Sequence, residues 1–369
     1  MISVCQEAII DKYEQEWLPY GLLKSFFTAG SPRILQGEKL ILPFKLKGNP
    51  IAIPVTCCSG LNFNERRTSE AMEINVVPYK EGFEINACDL EKVPFGKNQF
   101  EMADQLATEN LFDLIVEGIR DNEDLLSRSW ELQASQIWQT GSLSLTDQKG
   151  EVRYDYQFPT PASHFPTVAT AWSDSANATP INDLAALASL IQSNGKARPD
   201  TVIMNEKTYL DFINTVQVEL KGDLLRIDTI GINREGLELL GGILKGSLSA
   251  GSHNLKIWVY NEEYDDPETG DPKKYVEDDN VIMICSAESN GNRVRYNKYF
   301  IPTPKIPMTS NISNTIGRLI PENISEGGSV TQELHAYGQI DGSAMTVETR
   351  SRMIYIPVSF LTYGCLKTA

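Results

Sequence analysis

Hydrophobic positions recur with the period of an α-helix through one long stretch of the chain, from Phe100 to Gln139. The pattern predicts a single helix that can bury one face along its whole length. Unbroken, it would span about 60 Å at 1.5 Å per residue, which exceeds the diameter of a small domain. We therefore expect it to connect distant parts of a subunit, or two subunits; a long core helix of an ordinary enzyme is the alternative. Thr140-Gly141 predicts its end, because glycine readily takes the left-handed conformation past a last helical turn.

The pattern before this helix is that of extended chain. Between Ile34 and Ile85 the apolar residues fall in short runs, and prolines interrupt them at positions 43, 50, 54 and 78. Proline cannot donate a hydrogen bond to a neighbouring strand, so these strands belong at sheet edges or in a two-stranded ribbon. Because an isolated ribbon is marginally stable in water, we expect this segment to pack on a neighbouring subunit. A small sheet folded onto the same chain is the alternative.

Short strands and helices follow the long helix. A hairpin is predicted from Leu143 to Phe158, and a polar linker at Ser173 to Thr179 introduces a separate unit. In that unit Thr179-Pro180 predicts a helix start, Asn194-Gly195 predicts its end, and Asn205 predicts the cap of a second helix. The predicted strands are Thr201 to Met204, Ile243 to Leu248, Leu255 to Tyr260, Lys274 to Val276, Val281 to Cys285, Arg293 to Tyr299, Met345 to Tyr355 and Pro357 to Gly364.

Charge and composition narrow the classes of function. The 369 residues carry a formal net charge of −16, spread along the chain rather than gathered in one tail. Such a balance repels polyanions and argues against a surface built to neutralise phosphates. The length suits two or three domains. The chain has no long apolar run, and the acidic stretch Met1 to Trp17 is unlike a signal peptide, so we expect a protein made in the cytosol that does not enter a membrane.

Residues that could carry catalysis do not assemble into a motif. The histidines at positions 164, 253 and 335 lie in different segments without metal-ligand spacing, and the six cysteines form no CxxC pair. Reduced, buried thiols are therefore expected. The near match to GxSxG at Ser247 to Gly251 lacks its first glycine, and the near match to a P-loop at Gly241 to Ser247 lacks its lysine.

An acidic stretch, Asp265 to Asp271, is similar to a calcium loop but departs from it. Pro267 and Thr269 occupy ligand positions, and Val276 stands where the bidentate glutamate belongs. A solvated hairpin turn is the better interpretation. We expect no catalytic residue, no cofactor and no bound metal.

Several segments, in this order, resemble one known family. They are Leu22 to Phe27, Gly60 to Glu70, Val77 to Lys80, Gly118 to Asp124, Trp138 to Gly141, Trp258 to Asn280 and Met353 to Gly364. Each motif alone is weak, but together they cover nearly the whole chain. The sequence resembles the major capsid proteins of lambda-type tailed bacteriophages, the major capsid protein E family.

The resemblance implies an α+β subunit with the Hong Kong 97-like fold. Its parts would be an N-arm at residues 1–32, an extended β-hairpin E-loop at 33–90, a peripheral domain with the long spine helix at 91–172 and 305–369, and an axial α/β domain at 173–304. Such subunits form pentamers and hexamers that tile an icosahedral shell around packaged double-stranded DNA, which is enclosed without specific binding.

The family also implies partners and a location. A separate scaffolding protein and a portal are expected, a decoration protein stays open, and the location is the virion capsid, assembled in the cytoplasm of a bacterial host. An encapsulin-like nanocompartment shell is one alternative, and a hydrolase or other enzyme is another. Arg66 and Arg67, flanked by Glu65 and Glu70, are the candidate residues for contacts between subunits, since charge pairs across a boundary can determine register. A solvated charged turn is the alternative for this segment.

Overall fold

The computed structural model describes twelve stretches of the chain, and the statements below concern them. They are residues 21–29, 39–44, 70–75, 77–86, 103–146, 152–218, 240–266, 269–291, 293–301, 323–326, 329–338 and 344–369.

The described chain mixes helices with several small sheets. The helices are α1 (Leu22–Ser25), α2 (Ala103–Thr140), α3 (Pro180–Gly195) and α4 (Glu206–Ile213). The strands are β1 (Thr28–Ala29), β2 (Lys39–Phe44), β3 (Glu70–Asn75), β4 (Tyr79–Asn86), β5 (Ser142–Thr146), β6 (Val152–Gln157), β7 (Thr201–Met204), β8 (Gly242–Ala250), β9 (His253–Tyr260), β10 (Glu263–Asp265), β11 (Pro272–Lys274), β12 (Asn280–Ile284), β13 (Asn297–Phe300), β14 (Asn323–Glu326), β15 (Ser329–Gly338), β16 (Ala344–Ser351), β17 (Met353–Ile356) and β18 (Tyr363–Lys367).

The long helix predicted from the hydrophobic period is present as α2, of 38 residues. It ends where the sequence indicated: Gly141 has a φ of 70°, and its backbone N–H donates to the Ile137 carbonyl over 2.9 Å. The left-handed residue satisfies one of the carbonyls that the last turn leaves without a partner. The chain then enters the predicted hairpin, in which β5 pairs with β6.

A four-stranded antiparallel sheet, in the order β14-β15-β16-β4, packs on one face of α2. Ile85, Val347 and Leu334 bury against Ile115 and Ile119 of the helix. At Gly118 the Phe83 ring lies so close that a Cβ atom on the glycine would be 2.4 Å from the ring. The helix therefore approaches the sheet most closely at a residue without a side chain.

The segment predicted as an extended E-loop contains two different structures. β2 pairs only with β3 among the described strands, which confirms a two-stranded ribbon for these residues. β4 instead belongs to the four-stranded sheet and pairs along its length with β16. The ribbon also contacts the same chain at one end, because Tyr156 Oη both donates to the Asn75 carbonyl and accepts from the Asn75 N–H, each over 3.1 Å.

The main core surrounds a five-stranded sheet in the order β18-β12-β7-β9-β8. β7 and β9 run parallel, and the other neighbouring pairs are antiparallel. α3 begins as predicted, with Pro180 following the cap position at Thr179, and Asn205 caps α4 by accepting from the Thr208 N–H over 2.9 Å. The end of α3 differs in detail: the helix includes Gly195, and Lys196 is the left-handed residue.

Three strand predictions are shifted in the structure. Strand β13 is limited to Asn297–Phe300, and the short strand predicted at Lys274 to Val276 is Pro272–Lys274. The last predicted strand, Pro357 to Gly364, is displaced to Tyr363–Lys367. Residues 357–362 form a turn, in which the Ser359 N–H donates to the Arg295 carbonyl over 3.0 Å. The apolar run misled the prediction because Phe360 is buried within this turn rather than in a strand.

Candidate functional site

The N-terminal segment is fastened to the long helix by one carboxylate. Glu131 of α2 accepts the backbone N–H of Leu23 at Oε1 over 2.8 Å and that of Lys24 at Oε2 over 3.0 Å. The Tyr260 hydroxyl of β9 donates to Oε1 as well, over 2.8 Å. The first N–H groups of a helix lack partners within it, and the cap position of α1 is Gly21, which has no side chain to supply one. Glu131 fills that role from a distant part of the sequence.

The electrostatics of this contact follow from its burial. Glu131 is 1% exposed, and the loss of water raises the pKa of its carboxyl, while Lys24 and the three donors act in the opposite direction. Burial together with the Glu131 charge raises the pKa of Tyr260, so its hydroxyl keeps its proton and donates. The described donors to this carboxylate are the Leu23 and Lys24 N–H groups and the Tyr260 hydroxyl, which join α1, α2 and β9.

An aromatic cluster holds the other side of α1. Trp138 of α2 donates from Nε1 to the Leu23 carbonyl over 3.1 Å. Its ring contacts Phe27, Tyr296 and Tyr363 at centroid distances of 4.8, 4.8 and 5.1 Å. Aromatic pairs of this kind add about 0.5–1.5 kcal/mol each beyond the area that they bury. The cluster joins α1 and α2 to the chain segments before β13 and at β18.

The last turn of α2 is bound to the segment before β12. Gln139 Nε2 donates to the Tyr275 carbonyl over 2.8 Å, and its Oε1 accepts the Glu277 N–H and Asn280 Nδ2 over 3.0 and 2.9 Å. Ser135 Oγ also donates to the Tyr275 carbonyl. Both polar atoms of the Gln139 amide therefore form hydrogen bonds, which fix the position of the segment from Tyr275 to Asn280 along the helix.

These contacts form a buried polar row on α2, made of Ser127, Glu131, Ser135 and Gln139. The four residues are spaced by four, so they lie on one side of the helix, and all are buried. Ser127 accepts from Lys24 Nζ at one end of the row, and Gln139 contacts the segment before β12 at the other. The row was not identified from the sequence. The feature of the sequence that could have revealed it is the spacing of four residues between successive polar positions beside the apolar stripe.

The residues predicted to contact neighbouring subunits, Arg66, Arg67 and Glu70, are not part of the buried polar row. Arg66 and Arg67 lie outside the described residues. Glu70 is the first residue of β3 and stands opposite Phe44 of β2 in the ribbon. The described structure therefore places Glu70 at one end of the two-stranded ribbon.

His164 and the two described cysteines are buried within the fold. His164 is buried, with Nδ1 2.7 Å from the Tyr363 carbonyl and Nε2 2.9 Å from Asn194 Nδ2, and burial lowers the pKa of its imidazole. Cys285 and Cys365 are buried free thiols, and burial raises the pKa of Cys365 to about 12. In the part of the chain that the structure describes, no three His, Cys, Asp or Glu side chains converge as metal ligands.

The acidic turn has the conformation expected of a hairpin. β10 pairs with β11, and the Gly270 N–H donates to the Asp266 carbonyl over 2.7 Å. Lys273 Nζ neutralises Asp266 at 2.5 Å. Within the described ranges no helix combines the length and hydropathy needed to cross a bilayer.

Comparison with known proteins identifies the family. The sequence profile of phage major capsid protein E matches residues 14–297. The chain belongs to the phage major capsid protein E family. It is accordingly a structural component of a phage virion capsid, not an enzyme. The match also favours a phage capsid over the encapsulin alternative. No curated protein sequence matches the chain.

Solved structures show the same fold at low sequence identity. A protein described as the capsid protein of a prophage in E. coli CFT073 is 16% identical, with a TM-score of 0.57, and the match covers 82% of this chain and 80% of that one. The capsid of cyanophage A-1(L) is 10% identical, with a TM-score of 0.54 and coverage of 96% and 94%. A phage-related protein of Bordetella bronchiseptica RB50 is 9% identical, with a TM-score of 0.50 and coverage of 98% and 97%. The mixed helix and sheet fold of major capsid protein E is thus the Hong Kong 97-like fold of phage capsids.

Proposed function

We propose that this chain self-assembles as pentamers and hexamers into an icosahedral shell that encloses double-stranded phage DNA. Assembly takes place in the cytoplasm of the bacterial host, with a separate scaffolding protein and a portal. The family match over residues 14–297 carries the proposal, and the fold agrees with it. The packaged DNA is enclosed without sequence-specific contacts, in keeping with the net charge of −16.

The elements of the subunit can be assigned to the parts of the Hong Kong 97-like fold. The β2–β3 ribbon supports an E-loop within residues 33–90, and its partner surface is a neighbouring subunit. α2 supports the assignment of a spine helix, and four strands of the five-stranded sheet, β7, β8, β9 and β12, support an axial domain within residues 173–304. The fifth strand, β18, comes from the range 305–369, so we group it with the axial domain. β4 is better grouped with the peripheral domain, because its side chains pack on α2.

The buried polar row gives the spine helix its role in the shell. Glu131 and Trp138 hold α1, which lies within the N-arm, and Gln139 holds the segment that leads into the five-stranded sheet. Load applied to the N-arm by a neighbouring subunit therefore passes through buried, multiply bonded contacts to both parts of the subunit. A shell that contains packed DNA requires such stiff connections.

Imaging of the expressed chain tests the proposal. The chain is produced in bacteria with and without a scaffolding protein encoded beside it, and the lysate particles are examined by electron microscopy and sedimentation. We expect closed shells or capsomers of megadalton size. Particles recovered from an infected or induced host should contain nuclease-protected DNA of genome length, whereas an enzyme cargo would indicate a nanocompartment. A chain that stays monomeric even with its scaffolding protein contradicts the proposal.

A further inference from the structure

The five-stranded sheet has two chemically different ends. β7 and β9 start at the same end, because Thr201 pairs with Lys256 in parallel register. β12 finishes at that end, since Ile284 pairs with Thr201. The loops before β7 and after β12 therefore meet there. The loops after β7 and β9 and before β12 meet at the opposite end.

The first end carries exposed cations on two adjoining segments. In each segment two basic side chains flank one buried apolar residue, Ala197 in the first and Val294 in the second, so the basic side chains share one exposed side. Asn290 joins the segments: its side chain accepts the Arg198 N–H over 2.8 Å and donates to the Arg198 carbonyl over 3.0 Å, and its carbonyl accepts the Arg293 N–H over 3.3 Å. We name this surface the basic end; its residues are Lys196, Arg198, Arg293 and Arg295.

The cations of the basic end are not neutralised within the described chain. The nearby carboxylate of Asp200 is occupied by Ser286, whose N–H and Oγ donate to it over 2.7 and 2.5 Å, and by Ser289 Oγ over 2.5 Å. None of the four basic side chains forms a salt bridge with a carboxylate in the ranges that the structure describes. Lys196 Nζ donates to the Ser193 carbonyl, and Glu288, on the loop that precedes Arg293, is exposed. Four cations without a described salt bridge thus lie together in a chain of net charge −16.

The opposite end is strongly acidic. Three lysines there are already paired, Lys207 with Asp279 at 3.0 Å, Lys273 with Asp266 and Lys274 with Asp278. A fourth, Lys245, has its Nζ 5.8 Å from the Tyr209 ring of α4. Mutual repulsion is visible at Glu262, whose pKa is raised by burial and by the charge of Glu263. We name this surface the acidic end. Its carboxylates without a described salt bridge are Glu206, Asp211, Glu262, Glu263, Asp265, Asp271 and Glu277, and of these Asp211 lies within the field of Lys207.

The acidic end also has the shape of a protein-binding surface. An open depression of about 710 Å³ is lined by three carboxylates, two lysines that are paired with other carboxylates, two amides and one apolar residue: Glu206, Asp211, Glu263, Lys207, Lys274, Asn214, Asn261 and Leu210. Leu210 is 47% exposed, and Ile243, at the start of β8 on the same end, is 50% exposed. Apolar residues surrounded by charged ones are the usual anatomy of a contact between proteins. A nucleic acid would be repelled from this surface.

We infer that the basic end of one subunit binds the acidic end of the next copy of this chain within a capsomer ring. The inference rests on the proposed function. A contact between two different surfaces of identical subunits is heterologous, and it closes into a ring when the rotation between copies allows. The Arg293 and Arg295 side chains would enter the depression beside Glu263. Opposite charges on the two ends orient the subunits during encounter and disfavour like-to-like contacts.

Charge reversal of each end, alone and together, tests the contact. The variants are R293E/R295E for the basic end, E263K/D265K for the acidic end, and the combination of all four substitutions. In each pair the two substituted residues are exposed and flank one buried or half-buried residue. Each pair also changes the net charge by four units, in opposite directions, so the two single-end variants are matched. We expect each single-end variant to lower the yield of capsomers about tenfold or more, and the combined variant to recover it to within about threefold, because its ends attract again.

Two controls separate this contact from net charge and from DNA. E117K/D121K makes the same change of charge as E263K/D265K on α2, and K80E reverses a cation on β4; both lie outside the two ends and should assemble normally. Duplex DNA binding of every variant is measured by gel shift. Equal yields from the single-end variants and the unaltered chain overturn the inference while leaving the capsid function intact. Loss of DNA binding without loss of assembly in R293E/R295E assigns the basic end to nucleic acid and also overturns it. An unaltered chain that forms no assemblies contradicts both the function and the contact.

Discussion

The backbone N–H of Leu23 donates a 2.8 Å hydrogen bond to Oε1 of Glu131, which lies 108 positions further along the chain. The donor belongs to the first turn of a short helix that cannot satisfy it, and the acceptor is a buried charge that would be costly without donors. The hydrogen bond therefore removes the free-energy cost of burying each group without a partner. This reciprocal contact is the part of the capsid subunit most open to a direct experiment.

Substitution E131A should lower the free energy of unfolding by about 3–5 kcal/mol, since it leaves the Leu23, Lys24 and Tyr260 donors buried without an acceptor. Urea denaturation of the unassembled subunit measures the change. E117A, at an exposed position of the same helix, is the control and should leave the midpoint unchanged. Equal midpoints for the two variants would show that Glu131 does not hold the N-terminal segment.

Stability should fall in mildly acidic buffer because of His164. Burial lowers the pKa of this imidazole, so the unfolded chain binds the proton more readily than the folded one. The contribution of His164 is therefore present above its unfolded pKa of about 6.5 and is lost as the pH falls below that value, at no more than about 1.4 kcal/mol per pH unit.

Comparison with H164N isolates this effect from the carboxylates that titrate lower. Asparagine can still donate to the Tyr363 carbonyl but does not titrate. The difference in unfolding free energy between the wild type and H164N should change between pH 7 and pH 5 and stay constant above pH 7. A constant difference over the whole range would contradict the neutral, buried state of His164.

Substitution G118A should destabilise the packing of the four-stranded sheet on α2. Alanine is about 1 kcal/mol better than glycine within a helix, so an open site would be stabilised, but here the new methyl group would overlap the Phe83 ring. We expect a net loss of about 1–3 kcal/mol. The double variant G118A/F83L should recover part of it. A rise in melting temperature for G118A alone would show that the ring moves away without cost.

The ribbon should be needed for shells but not for folding. Replacement of residues 45–69 by Asn-Gly keeps β2 and β3, since Phe44 and Glu70 are already opposite each other and a two-residue turn can join them. A deletion of all residues from Ile34 to Ile85 would be a poorer test, because it also removes β4 from the core against α2. We expect an unchanged melting temperature and no closed shells in electron micrographs; closed shells would refute the role of the ribbon in assembly.

Arg66 and Arg67 remain predicted contact residues. R66E/R67E should reduce the yield of capsomers or shells, because reversed charges would repel the acidic surfaces that this chain presents in excess. The melting temperature of the dissociated subunit should not change. R66K/R67K is the matched control and should assemble better than the reversal. If both variants assemble like the wild type, the segment is a solvated charged turn.

The parts of the fold that could be predicted are those determined by the conformational preferences of a few consecutive residues. The Gly141 stop, the Thr179-Pro180 start and the Asn205 cap each depend on a local backbone preference, and the structure confirms them. The period of the long helix was equally clear, because it is repeated through many turns.

The contacts of Glu131 and Gln139 could not be predicted in the same way. A polar residue beside an apolar stripe is ordinarily predicted to lie at the solvent-exposed edge of a helix. Here the residues that bury and bond to it are Leu23, Tyr260 and Tyr275, which are far away in sequence. The turn at residues 357–362 failed for a related reason: Phe360 is buried by tertiary contacts that no local pattern encodes.

The position of β18 at one edge of the five-stranded sheet affects how the subunit is made. The Asn280–Ile284 strand pairs on one side with β18, which the ribosome produces about eighty residues later. Until then this buried strand has an open edge, and Trp138 lacks its Tyr363 neighbour. A nascent polypeptide thus cannot complete its five-stranded sheet early, and an interrupted translation product lacks the finished sheet whose two ends form the proposed ring contact. The late strand would keep such fragments out of growing particles.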